Sequence, residues 1–229
     1  MMQAVFISDI HSNLEALNAV AATLPNMPIY CLGDVVGYGA NPNEVIEWVR
    51  ENVELCILGN HDVAVLTGDV SWFNPAAAKA VKWTRGVIKP ENLSFLKSLA
   101  DRARLNIAGL KTLLVHGSPD DPISEYVYLE SHAHLFDIYL HREGVDLIGM
   151  GHTHVPYAWR SSRGTVFNPG SVGQPRSGRP EACYAILEYD GSTLQIEHKL
   201  ILYDIESAAS KIIASGLPTF LASRLFLGT

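Results

Sequence analysis

Three kinds of feature are scarce in this chain, and each scarcity closes off a class of function. Cysteine occurs only three times, at Cys31, Cys56 and Cys183. The count is odd, no spacing matches a zinc ligand pattern, and each lies in an apolar run, so a disulfide framework is excluded and reduced core thiols are expected. No apolar stretch approaches the ~20 residues of a membrane span. Excess positive charge is missing too: the net charge is -7, which leaves no basic field for long nucleic acid. No low-complexity linker or internal repeat divides the 229 residues, so one domain over 1–229 is expected, with 48% hydrophobic residues to fill its core. With no basic or cleavage-site pattern ahead of the strand-like Ala4–Ile7, the chain reads as cytoplasmic.

Alternating apolar runs and helical spacings organise the rest. Ala4–Ser8, Ile29–Leu32 and Glu54–Leu58 read as strands. Between them, Asn13–Thr23 and the stretch opened by Pro42 carry helical periodicity, giving β-α-β-α-β and a parallel sheet. Helices are expected at Pro75–Gly86, Glu91–Leu99 and Glu130–Glu143, and strands at Arg104–Ile107, Thr112–Val115 and Leu147–Met150. From Tyr157 onward, four further strands, ending with Leu194–Leu200, read as a second, largely antiparallel part sharing the same core. A helical tail follows from Ile205. The polar loop 168–181 is long enough to expect a function of it.

Polar motifs sit directly after these strands: Asp9-Ile10-His11, Gly33-Asp34, Gly59-Asn60-His61-Asp62, His116-Gly117 and Gly151-His152-Thr153-His154. In an open α/β sheet the carboxyl ends of parallel strands face one rim, where ligands collect. Five strand ends thus bring carboxylate and imidazole together. Oxygen and imidazole without thiolate suit manganese, iron, zinc or cobalt better than calcium or magnesium. Asp9 and His11 are two apart, as are His152 and His154, and in extended backbone such pairs point the same way. Asp34 has two oxygens and can bridge two ions. His132 and His134 repeat the spacing, but on a helix they diverge; they, His141 and His198 read as surface residues.

These five motifs, in this order, resemble the calcineurin-like metallophosphoesterases over about residues 3 to 200. More narrowly, Ile7–Ala16 (ISDIHSNLEA), Leu32–Gly39 (LGDVVGYG) and Asn168–Arg176 (NPGSVGQPR) are similar to the small bacterial and archaeal phosphodiesterase-like branch. The resemblance implies an α/β fold, a four-layer α/β/β/α sandwich of two mixed sheets. It implies Asp9, His11 and His154 on one metal ion, Asn60, His116 and His152 on a second, and Asp34 between them. The cofactor would be two divalent transition-metal ions, manganese first, with iron, zinc, cobalt or nickel as alternatives.

The expected reaction is hydrolysis of a small or nucleotide-like phosphodiester. A hydroxide held between ions ~3.5–4 Å apart attacks phosphorus in line, and His61 protonates the leaving oxygen. Phosphomonoesters and dinucleoside polyphosphates are the alternative substrates, and a non-catalytic scaffold is the alternative class. The chain departs from the common family pattern Gly-Asp-x-x-Asp-Arg-Gly at Gly37, where the acid that orients the catalytic histidine is missing, and at Tyr38, where a phosphate-gripping arginine is missing. Asp62 is either the substitute orienting acid or a helix cap. Tyr38 and Arg176 are candidate substrate contacts. The partner is then a small phosphate ester, with no long nucleic acid and no membrane. A second copy of the chain stays open as a partner for the apolar tail Leu217–Leu227.

Overall fold

The computed structural model describes residues 2–229, with side chains described from residue 3. Its first sheet begins as expected. β1 (Met2–Ile7), β2 (Ile29–Cys31) and β3 (Leu55–Cys56) are parallel and joined through α1 (Leu14–Ala21) and α2 (Pro42–Asn52). Asn13 caps α1, its side-chain oxygen accepting from Ala16 N at 3.1 Å, and Pro42 supplies the preset first turn of α2.

The middle is helical, with α3 (Asn60–Thr67), α4 (Pro75–Val87) and α5 (Pro90–Ser98). The short α3 shows no clear periodicity because three of its five buried residues, Asn60, His61 and Asp62, are polar. The second sheet takes β4 (Arg102–Ile107), β5 (Leu110–Val115), β6 (Leu147–Gly149), β7 (Tyr157–Arg160) and β8 (Thr165–Asn168), in the order β4-β5-β6-β8-β7. Strands β5, β6 and β8 are mutually parallel, and α6 (Leu129–Glu143) connects β5 to β6.

The strands from Tyr157 onward pair antiparallel within their hairpins, as expected, but they do not form one second part. β7 and β8 complete the second sheet. β9 (Ala182–Tyr189) and β10 (Leu194–Ile201) return to the first, in the order β10-β9-β1-β2-β3. Hairpin spacing shows which strands are neighbours in sequence, not which sheet they join.

Side-chain alternation divides the sheets' faces. Val5 and Ile7 of β1 turn to α1 and α2, with Leu17, Val45 and Ile46. Ala4 and Phe6 turn the other way and pack against Leu114, Leu147 and Phe167 of the second sheet. That sheet's outer face, with Leu113 and Ile148, is covered by Phe136 and Leu140 of α6. The result is helices, sheet, sheet, helix: the four-layer sandwich of two mixed sheets. Strands buried on both faces explain the unbroken apolar runs. The tail forms α7 (Ile205–Ala214), α8 (Thr219–Ser223) and a 3-10 turn (Arg224–Phe226). No helix of the described residues is long and apolar enough to cross a membrane. The cysteines are free; Cys31 and Cys183 are buried and Cys56 half-buried, Cys31 and Cys56 facing each other across β2 and β3.

Candidate metal centre

All five motifs meet at the carboxyl-end rim of the two sheets. Asp9 follows β1, Asp34 follows β2, Asn60 opens α3 after β3, and His116 and His152 follow β5 and β6. Ligand atoms of Asp9, His11, Asp34 and His154 lie within 4.8 Å of one another, as do those of Asp34, His116 and His152. Asp34 belongs to both groups. The Asn60 carbonyl oxygen lies 3.1 Å from His116 Nε2, which places Asn60 with the second.

The backbone that achieves this is not extended. Asp9, His11, Ser12, Asp34, Tyr38, His152 and His154 all have φ between 49 and 66°. The idea that residues two apart point the same way therefore fails at the second pair, where His154 joins Asp9 and His11 while His152 joins His116. Left-handed conformations are costly for most residues but least so for Asp, Asn and His.

Each carboxylate has one oxygen fixed and one free. Asp9 Oδ2 accepts from His152 N at 3.2 Å, and Asp34 Oδ1 accepts from His61 N at 2.8 Å. Asp9 Oδ1 and Asp34 Oδ2 are buried without a hydrogen-bond partner. Orphaned buried carboxylate oxygens are expensive unless something positive meets them.

The imidazoles are aimed by the same logic. His11 Nδ1 donates to Val36 O at 3.1 Å, His116 Nδ1 to Leu32 O at 2.7 Å, and His154 Nδ1 to Gln174 O. Carbonyls only accept, so these bonds fix the proton on Nδ1 and turn the Nε2 lone pairs inward. His152 is reversed: Nε2 donates to Ser124 O at 3.0 Å, leaving Nδ1. Free oxygens opposite free imidazole nitrogens, with backbone carbonyls behind, fit divalent metal ions.

Electrostatics carries the same imprint. Burial alone would raise the Asp9 carboxyl, but His154 and His116 outweigh it and hold it well below the usual range. Asp34 is likewise held low against its burial, chiefly by His116 and His61. His116 goes the other way: burial would lower it, yet Asp34 and Asp9 lift it to about 10. His152 and His61 are driven down by burial to about 3 and about 4.

His61 lines a cavity of about 160 Å³ with Tyr38, Asn60, Trp72, Phe73, Asn74, Ser124 and Tyr126. Its ring centroid is 4.3 Å from Tyr38 and 4.8 Å from His11, and its Nδ1 has no partner. The open question over Asp62 is resolved. Its oxygens accept from Gly59 N at 3.0 Å, Val35 N at 3.3 Å and Val36 N at 3.1 Å, so it caps α3 and pins the loop after Asp34. Burial and then the charge of Asp34 push Asp62 up to about 7, against these three amide bonds. Nothing among the described residues takes the missing acid's place. Gly37, with φ 95°, lies against His61 Nδ1, where a Cβ would overlap the ring.

The loop 168–181 belongs to the site. Val172 N and Gly173 N bond to the carbonyls of Ser8 and Asp9, at 3.0 and 2.9 Å, and Ser171 Oγ donates to Asp9 O at 2.8 Å. A Cβ at Gly173 would overlap the carbonyl of Ile10, so only glycine allows the two segments this close. Arg176 Nη2 lies 2.9 Å from Gln174 Oε1 and 3.4 Å from the Tyr38 hydroxyl, which puts both sequence candidates for substrate contact side by side. His198 is not a surface residue: half-buried on β10, it donates from Nε2 to Asn168 O at 2.8 Å. His132 and His134 lie on α6, outside the cluster. Sequence reasoning missed Trp72, Phe73 and Tyr126; their one signal was aromatic residues in segments between regular elements.

Comparison with known proteins agrees with this geometry. The model of the calcineurin-like phosphoesterase superfamily domain matches residues 2–192. An uncharacterized protein of Methanocaldococcus jannaschii is 43% identical over 243 residues, covering 97% of this chain and 96% of that protein. The crystal structure of a metallophosphoesterase from Sphaerobacter thermophilus superposes with a TM-score of 0.87 at 35% identity, covering 100% of this chain and 99% of that one. A hypothetical protein from Pyrococcus horikoshii shares the fold, with a TM-score of 0.89 at 20% identity over 100% and 99% of the two chains. The chain belongs to the calcineurin-like phosphoesterase superfamily and is a metal-dependent hydrolase of phosphoric esters.

Proposed function

We propose that the protein is a two-metal phosphodiesterase acting on small or nucleotide-like substrates. The observation that carries this reading is the membership of Asp34 in both ligand groups. A carboxylate with one oxygen held by an amide and the other free is suited to sit between two cations. Asp9, His11 and His154 would hold one ion, and Asn60, His116 and His152 the other. Imidazole and carboxylate donors without thiolate favour manganese, with iron, zinc, cobalt or nickel as alternatives. Bound there, a pair of divalent ions supplies positive charge for the phosphoryl oxygens and a water-derived nucleophile at neutral pH.

The chain's own residues do the rest. His61 is held at the rim by its backbone bond to Asp34 and by ring contacts with Tyr38 and Phe73. From there, protonated beside the negative charge of the bound phosphate, it donates that proton to the departing oxygen. Arg176 and Tyr38 hold non-bridging oxygens in place of the family's arginine. The second ester arm has a place to go: Trp72 is 50% exposed and Tyr126 44% exposed on the walls of the 160 Å³ cavity, wide apolar faces for an aryl or nucleoside group. That cavity favours diesters over monoesters.

The test is hydrolysis of bis-p-nitrophenyl phosphate and p-nitrophenyl phosphate by metal-analysed protein with Mn²⁺ added. A higher kcat/KM on the diester is expected. Preference for the monoester would move the reading to a phosphomonoesterase, and binding of fewer than two ions per chain at full activity would end the two-metal reading.

A further inference from the structure

We propose that Arg224 forms a second anion subsite, one step outward from Arg176 and the metal centre, and that the substrate is a phosphate ester carrying another anionic group besides the scissile one. The inference rests on the phosphoesterase reading above and narrows its substrate class. Arg224 lies in the tail, beyond residues 2–192 that match the family model.

The tail is folded so as to bring this residue to the rim. α7 packs on α1 and is tied to it by the ion pair Lys211–Glu15. Ile212, Leu221 and Leu225 then close an apolar cluster around Tyr38. This sets the Arg224 guanidinium 5.9 Å from the Tyr38 ring centroid and 5.3 Å from that of Phe220. Arg176 reaches the same tyrosine from its hydroxyl end, at 3.4 Å.

Two half-buried guanidiniums thus flank one tyrosine. Among the described residues no aspartate or glutamate oxygen lies within 4.0 Å of either. Arg176 bonds to Gln174 and Tyr38, and the hydrogen bond of Arg224 runs from Nε to the oxygen of Thr229, the last residue of the sequence, which occupies that edge of the guanidinium. The Nη groups of Arg224 stay free for a two-pronged contact. The two like charges repel across Tyr38, and an anion received by the free Nη groups would offset that repulsion.

The two are not equivalent in depth. Arg176 is close enough to the metal centre for its charge to act on His61 and His154. The charged and ionisable neighbours of Arg224 are Arg176, Tyr38 and Tyr126, with none of the metal-ligand set. Arg176 therefore serves the phosphorus under attack, and Arg224 stands one step outward, where a terminal or adjoining phosphate of the same substrate would lie. A nucleoside polyphosphate or a nucleotide with a second phosphate has this chemistry; a simple dialkyl or diaryl phosphate does not.

Arg224→Gln and Arg224→Lys test it, each checked for an unchanged melting temperature. Two esters that release p-nitrophenol are compared on manganese-loaded protein: thymidine 3′-phosphate 5′-(p-nitrophenyl phosphate), which has a second phosphate, and bis-p-nitrophenyl phosphate, which has none. The ratio of their kcat/KM values should fall about tenfold in Arg224→Gln, through KM, with partial recovery in Arg224→Lys. Calorimetry should show pyrophosphate bound about tenfold more weakly by Arg224→Gln than by the parent. A ratio unchanged, or both esters losing equally, overturns the subsite. Parent protein inert toward both esters would overturn the phosphoesterase reading instead; pyrophosphate affinity that ignores Arg224→Gln would then overturn the subsite by itself.

Discussion

The two ends of the sheets differ in what their backbone and polar groups are made to bear. At the far rim lies a cavity of about 540 Å³, lined by Leu110, Asp146, Arg160, Ser161, Thr193 and neighbouring turn residues. Several of its polar residues are ordinarily paired: Ser192 and Thr193 donate to Asp190, and Ser161 donates to Asp137 at 2.6 Å. One non-glycine residue there, Ala108, has a positive φ, and it sits in a tight turn between β4 and β5. The metal rim has the smaller cavity of 160 Å³, yet seven non-glycine residues in the left-handed region and buried, unpartnered atoms on Asp9, Asp34, His61 and Ser12. Size of cavity and intensity of chemistry are separated in this molecule. Strain collects where ligand atoms must converge, and cations held there would offset the cost of the unpartnered atoms.

Breaking the convergence should have the largest effect. Asp34→Ala removes the one carboxylate common to both ligand groups. Loss of several kcal/mol of transition-state charge stabilisation is expected, roughly 10³–10⁵-fold in kcat. Elemental analysis should show occupancy falling at both positions together; loss of one ion alone would mean that Asp34 serves a single site. His61→Ala probes the same rim one layer out. It should keep its metal content and lose ~10²–10⁴ in kcat. Turnover equal to the parent's would remove His61 from the chemistry, and lost metal would make it a ligand.

How far the sequence carried the argument follows from this contrast. Sheet one, through β3, was legible because Val5, Ile7 and their partners alternate between two covered faces, and helix starts at Asn13 and Pro42 follow local rules. The candidate ligand motifs were legible because each follows an apolar strand. What was hidden is nonlocal. The return of β9 and β10 to β1 depends on pairing across more than 170 residues of chain, such as Val5 with Ile186. The left-handed geometry that sends His152 and His154 to different groups follows no periodicity. The role of Asp62 as a cap, and the arrival of Trp72, Tyr126 and Arg224 at the rim, depend on packing that no local pattern encodes.

A middle-sized effect concerns protons. In the metal-free protein His116 is lifted to about 10 by Asp34 and Asp9 against its burial, above the ordinary 6.5. The sign is that of a group bound to protons more tightly when folded. Its contribution to metal-free stability is complete below pH 6.5 and is lost as pH rises through about 10. A metal ion needs the neutral ring, so loading at pH 7 should release about one proton from His116. Between pH 7 and 9, affinity should rise about tenfold per unit. Calorimetry in buffers of different ionisation enthalpy counts that proton. A count of zero would show that His116 is already neutral and that the carboxylates do not set its charge.

The smallest effect is the most direct comparison of the two rims. Ser12, with φ 55°, is buried at the metal rim and its hydroxyl has no partner; Ala108, with φ 57°, occupies the turn at the far rim. Glycine at either position relieves a left-handed conformation, which for an L residue costs on the order of 1 kcal/mol. Ser12→Gly should gain more than Ala108→Gly because it also removes a buried unsatisfied oxygen, itself about 1 kcal/mol or more. Urea unfolding of metal-free protein measures both. If the gains are equal, the hydroxyl of Ser12 is satisfied by water and the relieved left-handed backbone costs the same at both rims. If Ser12→Gly gains nothing, the metal rim is held in its left-handed turns without penalty. Burial of the ligands, rather than strain, would then be what the cations offset.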